Sequence, residues 1–303
     1  MKGHPMKKLL LTLLFVFTAG VILYAQSGEI RKVQVKSTVM NKMIPVTVTL
    51  PASYKTKVNR KYPVMYLLHG AGANQNSWNE LIPDMAREIS FYDIIVVSAY
   101  VGLSWYYDSP VDETCKYETF IAKELPAWMD KNFRTVDDRK ARALCGASMG
   151  GHGALWIGIR HHDRFGTAIA MSAGVNVCNW PGRWGLNDVL GDPEKNAEVW
   201  KKHTACAAAK DLKPNELAIS LDCGTEDFFI NDNRALHQQL LTQRIGHDYQ
   251  ERPGGHTNPY WQNAFDHALI FFQKQYTPLL KALRREEDSK MSVPVDDGGL
   301  DLF

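Results

Sequence analysis

The chain reads Leu-Cys-Gly-Ala-Ser-Met-Gly-Gly over residues 144–151. Ser148 therefore lies between two glycines in the pattern G-x-S-x-G, which is typical of a serine held forward on a sharp strand-to-helix turn. The pattern alone is weak, because a chain of this length matches it by chance roughly one time in ten and a glycine-rich turn would explain it. The flanking residues strengthen it. Residues 141–145 are typical of a short apolar strand and residues 153–159 of a buried helix, so we expect strand, turn and helix in that order.

Strand-like and helical segments alternate on both sides of this turn. Residues 30–36 and 44–50 alternate apolar and polar side chains and predict an antiparallel pair at a sheet edge. Continuous apolar runs predict central strands, and a more polar run predicts a last strand, at residues 62–69, 93–99, 141–147, 165–171, 217–221 and 248–252. Helical patterns lie near residues 77–89, 117–133, 233–243 and 261–283 and directly after Gly150. The alternation predicts an α/β fold with a mostly parallel central sheet and helices on both faces.

The domain organisation follows from length and composition. The 303 residues, 45% of them hydrophobic, suffice for one large domain, which we place at residues 26–283. Residues 178–215 interrupt the alternation with tryptophans, glycines and prolines and predict a small cap-like insertion. Residues 284–303 are charged and then rich in glycine and aspartate, which predicts a flexible tail.

The N-terminus predicts export. Three lysines precede an apolar run that ends at Ala25, the arrangement of a secretory signal peptide over residues 1–25. An uncleaved membrane anchor is the alternative, but the run is short for a bilayer span, so we expect cleavage after Ala25, a secreted or periplasmic protein and no stable membrane anchor. Cleavage removes three lysines and no acid, which changes the formal net charge from +2 to −1. No Lys/Arg-rich run remains to favour nucleic acid as a partner.

Five cysteines are present, and their spacing limits their chemistry. The chain has no C-x-x-C pattern, so zinc or thioredoxin-like chemistry has no support. Cys178 and Cys206 flank one irregular region and are the one pair that we consider for a disulfide, which export would permit. We expect no metal site.

A reactive serine needs a base and a carboxylate. Of ten histidines, His256 stands out because it lies in a glycine-rich loop after the last predicted strand, where it can reach the carboxyl edge of the sheet. Asp227 lies in the turn after the strand at 217–221 and is our choice to orient His256, with Glu226 and Asp222 as alternatives. The order serine, acid, histidine is that of α/β-hydrolases.

An oxyanion hole needs two backbone amides. One should be Met149, directly after the serine. The second is expected in the loop after the strand at 62–69, where Gly70 and Gly72 let amides turn inward and Ala71 is the candidate donor. His69 is expected to support this loop rather than react. The glycines here complete neither nucleotide-binding pattern, so no nucleotide cofactor is expected.

Four motifs together resemble the esterase family of α/β-hydrolases. They are Leu-Leu-His-Gly at 67–70, Gly-Ala-Ser-Met-Gly-Gly at 146–151, Gly-Thr-Glu-Asp at 224–227 and Gly-Gly-His at 254–256. That family includes feruloyl and acetylxylan esterases of carbohydrate esterase family 1, tributyrin-type esterases, S-formylglutathione hydrolases and antigen 85 mycolyltransferases. The resemblance spans about residues 33–272. It implies an α/β-hydrolase fold, a triad and an oxyanion hole at the residues named above, and no metal or cofactor.

The resemblance also sets the expected function. We expect a secreted serine carboxylesterase that acts on acetyl or feruloyl esters, either of plant polysaccharides or of small molecules. The apolar leader argues against a cytosolic S-formylglutathione hydrolase. An acyltransferase of the same fold and a non-catalytic binding protein are the alternatives. Aromatic side chains are expected to bind the substrate, namely Trp105, Tyr107, Trp180, Trp184 and Trp261.

Overall fold

The computed structural model describes residues 28–291, with side chains as far as residue 286. The predicted signal peptide at 1–25 and residues 292–303 of the predicted tail lie outside the described residues. Eight strands occur within the described part: β1 Glu29–Ser37, β2 Lys42–Leu50, β3 Val64–Leu68, β4 Ile95–Ala99, β5 Arg142–Ala147, β6 Thr167–Met171, β7 Ala218–Gly224 and β8 His247–Arg252.

The strands form one twisted sheet in the order β1-β2-β4-β3-β5-β6-β7-β8. Strands β1 and β2 are an antiparallel hairpin at one edge, with Val33 opposite Val46, and β2 is antiparallel to β4. All other neighbours are parallel. The predicted edge pair and the mostly parallel sheet are therefore confirmed.

Helices cover both faces of the sheet. They are α1 Ser53–Thr56, α2 Ser77–Leu81, α3 Met85–Tyr92, α4 Tyr117–Thr119, α5 Leu125–Asn132, α6 Met149–Arg160, α7 Leu186–Leu190, α8 Ala197–Lys202, α9 Ala205–Ala208, α10 Ile230–Thr242 and α11 Asn258–Met291, with a π-helical turn at Phe120–Glu124 between α4 and α5. Strand β3 shows why two layers are needed. Its odd residues Met65 and Leu67 pack in the core under α3 and α11, and its even residues Tyr66 and Leu68 pack in the core under α5 and α6. Helix α10 packs beside α6 against β6 and β7. A strand buried on both faces must be apolar at every position, as the sequence of β3 is.

Four other features bear on the predictions. Residues 178–215, which we call the insertion as predicted from the sequence, lie between β6 and β7 and contain α7, α8 and α9. Helix α11 continues to Met291 and therefore includes the first eight residues of the predicted tail. Cys178 and Cys206 are both free thiols, so the disulfide considered from the sequence is not made. Among residues 28–291, no helix combines the length and the apolar character that a membrane crossing requires.

Candidate active site

Ser148 lies on the turn between β5 and α6, with φ 60° and ψ −119°. A non-glycine residue in this region is strained, and such strain persists only where the surroundings enforce it. The Ser148 amide donates to the carbonyl of Met171 in β6 at 2.9 Å, which ties the turn to the sheet. A Cβ atom at Gly150 would lie 2.2 Å from the Leu68 carbonyl oxygen, and one at Gly146 would lie 2.5 Å from the Gly150 carbonyl. Both glycines are therefore required by close backbone packing.

His256 and Asp227 meet Ser148 at the carboxyl ends of the strands. The Nε2 atom of His256 lies 2.9 Å from Ser148 Oγ, and its Nδ1 lies 2.9 Å from Asp227 Oδ2. His256 lies on the loop between β8 and α11, and Asp227 on the turn between β7 and α10. Because β5, β7 and β8 are parallel, their carboxyl ends face the same edge of the sheet, and three distant segments converge there.

The environment of Asp227 keeps it ionised. The residue is 2% exposed, and burial alone would raise its pKa. The hydrogen bond and the charge interaction with His256, together with the Phe229 amide at 2.8 Å from Oδ1, outweigh burial and hold the pKa of Asp227 below its ordinary value. The carboxylate can therefore accept a hydrogen bond from the Nδ1–H of His256, which leaves Nε2 free to take the Ser148 hydroxyl proton.

The two alternative carboxylates are placed elsewhere. Asp222 lies inside β7, and its oxygens accept hydrogen bonds from the Tyr260 hydroxyl and the Arg252 guanidinium. Glu226 is exposed to solvent. Of the three candidates, only Asp227 makes a hydrogen bond to His256 in the described structure.

The expected oxyanion hole has its parts close to Ser148. Met149 is the first residue of α6, and Ala71 lines the same pocket as Ser148. A Cβ atom at Gly70 would lie 3.5 Å from Ser148 Cβ, so the loop that carries Ala71 packs directly against the serine. Neither the Ala71 nor the Met149 amide donates a hydrogen bond to another residue within 28–291. Both are available to a negatively charged oxygen, and a helix N-terminus favours such an anion at Met149.

His69 supports this loop, as expected from the sequence. Its Nδ1 donates to the Gly70 carbonyl at 2.8 Å, and its Nε2 accepts from the Val101 amide at 3.1 Å. Burial lowers the pKa of His69, so the ring is neutral and can serve as donor on one side and acceptor on the other. The ring thus fixes the loop after β3 that carries Ala71, which we call the oxyanion loop after its expected role, to the segment after β4.

Ser148 and His256 open into a pocket of about 810 Å3. Three aromatic side chains form part of its wall: Trp184 comes from the insertion, Phe228 from the turn after β7 and Trp261 from the start of α11. Polar side chains also line it, namely Ser77, Glu80, Asn258 and Gln262. A concave site that combines aromatic side chains with placed polar groups is the usual form of a small-molecule site.

A family model described as "Putative esterase" matches residues 37–272, which is most of the chain. The chain belongs to this esterase family. It is 29% identical over 238 residues to the esterase Rv1288 of Mycobacterium tuberculosis, covering 70% of this chain and 52% of the relative. It is 26% identical over 259 residues to an acetyl esterase of Caldicellulosiruptor saccharolyticus, covering 79% of this chain and 94% of the relative.

A solved structure supports the same assignment. A ferulic acid esterase superposes on this esterase-family chain with a TM-score of 0.71 at 28% identity, covering 83% of this chain and 99% of the other. The α/β-hydrolase fold and the family resemblance predicted from the sequence are confirmed. The chain spans about half the length of the mycobacterial esterase, 52% of it.

Burial corrects part of the aromatic prediction for this esterase-family chain. Trp184 and Trp261 line the pocket that contains Ser148. Trp105 and Tyr107 do not, because their side chains are 1% and 0% exposed and lie beneath the insertion. Trp180 packs beside Trp184, with ring centroids 5.7 Å apart, and stands behind the pocket wall rather than on it.

The sequence reasoning missed Phe228. Its side chain is 46% exposed, and its ring centroid lies 4.3 Å from that of His256 and 5.8 Å from that of Trp184, nearly parallel to the latter. Phe228 follows Asp227 directly, and this position next to the expected carboxylate is the sequence feature that could have indicated a place in the pocket. The His256 ring is thus held between Phe228 on one side and Trp261, 4.9 Å away, on another.

Within residues 28–291, no three or more His, Cys, Asp or Glu side chains are grouped so as to hold a metal ion. Besides Ser148 and His256, the pocket is lined by the loop that carries Ala71 and by the polar side chains of Ser77, Glu80, Asn258 and Gln262. An arrangement of Ser148, His256 and the amides of Ala71 and Met149 is one that can support acyl transfer.

Proposed function

We propose that the chain is a serine carboxylesterase that hydrolyses acyl esters through an acyl-enzyme on Ser148. The observation that carries the proposal is the unbroken pair of hydrogen bonds from Ser148 through His256 to Asp227. A serine hydroxyl is a weak nucleophile until a positioned base removes its proton, and this arrangement supplies that base. Family membership supports the same reaction class.

In the first step, Ser148 Oγ attacks the ester carbonyl carbon while His256 Nε2 takes its proton. The carbonyl oxygen becomes an oxyanion, which the amides of Ala71 and Met149 stabilise by about 3 kcal/mol per donor. The tetrahedral intermediate collapses, the bond to the alcohol oxygen breaks, and His256 returns the proton to the departing alcohol. Asp227 stabilises the imidazolium without taking the proton.

In the second step, water replaces the alcohol. His256 takes a proton from the water as its oxygen attacks the acyl carbon, and the same two amides hold the oxyanion. The bond to Ser148 Oγ then breaks, the proton returns to Oγ, and the acid leaves. The chain's own residues supply every proton transfer in the cycle.

For the acyl group we propose an acetyl or feruloyl type, on a plant polysaccharide or a small alcohol. Three aromatic walls, Trp184, Phe228 and Trp261, favour a flat acid or a sugar ring, which can stack on them. The relatives named acetyl esterase and ferulic acid esterase support this choice. A panel of methyl ferulate, acetylated xylan and p-nitrophenyl acetate, compared by kcat/KM on one sample, decides between the two acyl groups.

The reaction class is tested by covalent labelling. A fluorophosphonate probe should label the full chain at Ser148, as located by peptide mass spectrometry, and Ser148→Ala should not be labelled. Labelling that persists in Ser148→Ala, or wild type that resists the probe, would contradict the proposal. Prior heating to unfold the protein is the control for non-specific reaction.

We further propose that the protein is exported and cleaved after Ala25. The lysine-led apolar run of residues 1–25 supports this. Expression of the full chain in a bacterial host, followed by fractionation and intact mass measurement, should give a species that begins at Gln26 outside the cytoplasm. A species that retains Met1 in the cytoplasmic fraction would contradict it.

A further inference from the structure

Three side chains from the segment after β4 fasten the insertion to the body. Trp105 Nε1 donates to the Trp184 carbonyl at 3.0 Å, the Tyr107 hydroxyl donates to the His203 carbonyl, and Ser109 Oγ donates to the Val189 carbonyl at 2.6 Å. These donors occupy alternate positions, and each is at most 3% exposed. Because the acceptors are backbone carbonyls, these bonds hold the main chain of the insertion and not only its side chains, and burial strengthens them. The insertion is therefore held at three points.

Tyr106 lies between Trp105 and Tyr107 in the sequence, but its side chain points away from the insertion, toward the loop after β3. Its hydroxyl donates to the His69 carbonyl at 2.9 Å, directly before the loop that carries Ala71. Its ring packs on α6, where a Cβ atom at Gly153 would lie 2.4 Å from Tyr106 Cδ2. Burial raises the pKa of Tyr106 far above its ordinary value, so the hydroxyl remains a donor. Tyr106 thus fixes the oxyanion loop relative to the helix that follows the nucleophile.

Trp105 packs tightly beneath Trp184, which forms part of the pocket wall. A Cβ atom at Gly174 would lie 2.9 Å from its Cζ3, and its ring centroid lies 6.3 Å from that of Trp184. Trp184 has φ 46° and Trp105 has φ 52°, a conformation that bulky side chains rarely adopt. Such strained residues need support from their surroundings, and the Trp105–Trp184 hydrogen bond provides it on the side away from solvent.

We propose that Trp105 and Tyr106 are positioning residues with separate tasks, Trp105 holding the pocket wall at Trp184 and Tyr106 holding the oxyanion loop at Ala71. The inference rests on the proposed esterase function. It assigns substrate fit to one residue and transition-state stabilisation to its neighbour. Misplacing a wall that contacts the substrate raises KM, whereas misplacing an oxyanion donor lowers kcat.

The task of Trp105 is tested through Trp184. In a panel of p-nitrophenyl esters of increasing acyl size, the ester whose KM rises most in Trp184→Ala is chosen. Trp105→Phe should raise the KM of that ester at least threefold with kcat within twofold. Trp200→Phe is the matched control, because Trp200 Nε1 donates to the Gly191 carbonyl at 3.0 Å in the same insertion but away from the pocket.

A double mutant decides whether Trp105 acts through Trp184. In the Trp184→Ala background, Trp105→Phe should change KM by less than 1.5-fold, because the wall that it positions is gone. The proposal is overturned if the KM effects of Trp105→Phe and Trp184→Ala multiply in the double mutant. It is also overturned if Trp105→Phe and Trp200→Phe raise KM equally, or if Trp184→Ala changes the KM of no ester in the panel. If Trp105→Phe unfolds, benzothienylalanine at position 105, which replaces only the indole N–H by sulfur, gives the same comparison.

The task of Tyr106 is tested on kcat. Tyr106→Phe should lower kcat about fivefold on every ester, with KM within twofold, as expected for one hydrogen bond that positions a donor. Tyr107→Phe is the matched control, because it also removes one buried hydroxyl, but that hydroxyl donates to the His203 carbonyl in the insertion. Its kcat should stay within twofold of wild type. The assignment of Tyr106 would be overturned if Tyr106→Phe and Tyr107→Phe lowered kcat equally, or if neither variant lowered it. Failure of the proposed function itself is recognised separately, since Ser148→Ala would then keep its activity.

Discussion

The Nε2 atom of His256 lies 2.9 Å from Oγ of Ser148, although 108 positions separate the two residues. Neither residue can be moved without a cost to the fold, because Ser148 sits in a strained turn closed by Gly150 and His256 sits between two aromatic rings. This fixed approach is what converts an ordinary hydroxyl into a nucleophile in the proposed mechanism.

His256→Ala should reduce kcat on p-nitrophenyl acetate by at least about 1,000-fold, since the base is lost while the oxyanion amides remain. His267→Ala is the matched control, because His267 lies on α11 away from the pocket and should leave kcat within twofold. Equal kcat values for the two variants would contradict the assignment of the base. The measurement is initial rate against substrate concentration at pH 7.5.

Asp227→Asn should lower kcat by about 100-fold or more, because an amide at this position can donate to Nδ1 and favour the wrong imidazole tautomer. Glu226→Gln changes the adjacent, exposed carboxylate and should leave kcat within twofold. Asp222→Asn should instead lower the melting temperature, since Asp222 binds Arg252 and Tyr260. A larger kcat loss in Glu226→Gln than in Asp227→Asn would reverse the assignment.

Gly150→Ala should reduce both the melting temperature and kcat, because the added Cβ would lie 2.2 Å from the Leu68 carbonyl oxygen, which cannot move without shifting β3. The shift would also displace the neighbouring oxyanion loop. Gly246→Ala is the control, since a Cβ there meets nothing within 4 Å and should be tolerated. Thermal unfolding followed by circular dichroism, with kcat on the same samples, gives both quantities; a fully stable and active Gly150→Ala would be inconsistent with this packing.

Acid should destabilise the protein through His152. Burial lowers the pKa of His152 to about 3, so the folded state keeps the ring neutral while the unfolded chain binds a proton below about pH 6.5. The stabilisation is therefore complete above pH 6.5 and is lost as pH falls from there toward 3. Between pH 7 and pH 4.5 this amounts to about 2 to 3 kcal/mol of unfolding free energy.

The contribution is isolated by His152→Gln, whose amide can still donate to the Gly174 carbonyl that His152 Nδ1 contacts at 3.0 Å. Urea unfolding at pH 7 and pH 4.5 should show a smaller loss of unfolding free energy in His152→Gln than in wild type. An identical loss in the two proteins would mean that His152 is not held neutral by the fold.

The sequence predicted the sheet and the triad candidates because each depends on local patterns. Continuous apolar runs follow from burial on both faces, and Ser148, Asp227 and His256 each follow a strand and share its carboxyl edge. The pocket walls were harder to predict. Trp105 and Tyr107 lie on an irregular segment with positive φ at Trp105, so no periodicity indicates which side chains turn inward. Phe228 lies in the pocket wall because its ring packs between His256 and Trp184, and these contacts join segments that are distant in the sequence.

The most direct test of the account is kcat/KM of Ser148→Ala on p-nitrophenyl acetate, measured beside its melting temperature. Ser148 Oγ makes its side-chain hydrogen bond to His256, so its loss should leave the melting temperature within a few degrees. The account predicts a fall in kcat/KM of at least about 1,000-fold in this folded protein. Activity within tenfold of wild type would contradict the central claim that Ser148 is the nucleophile.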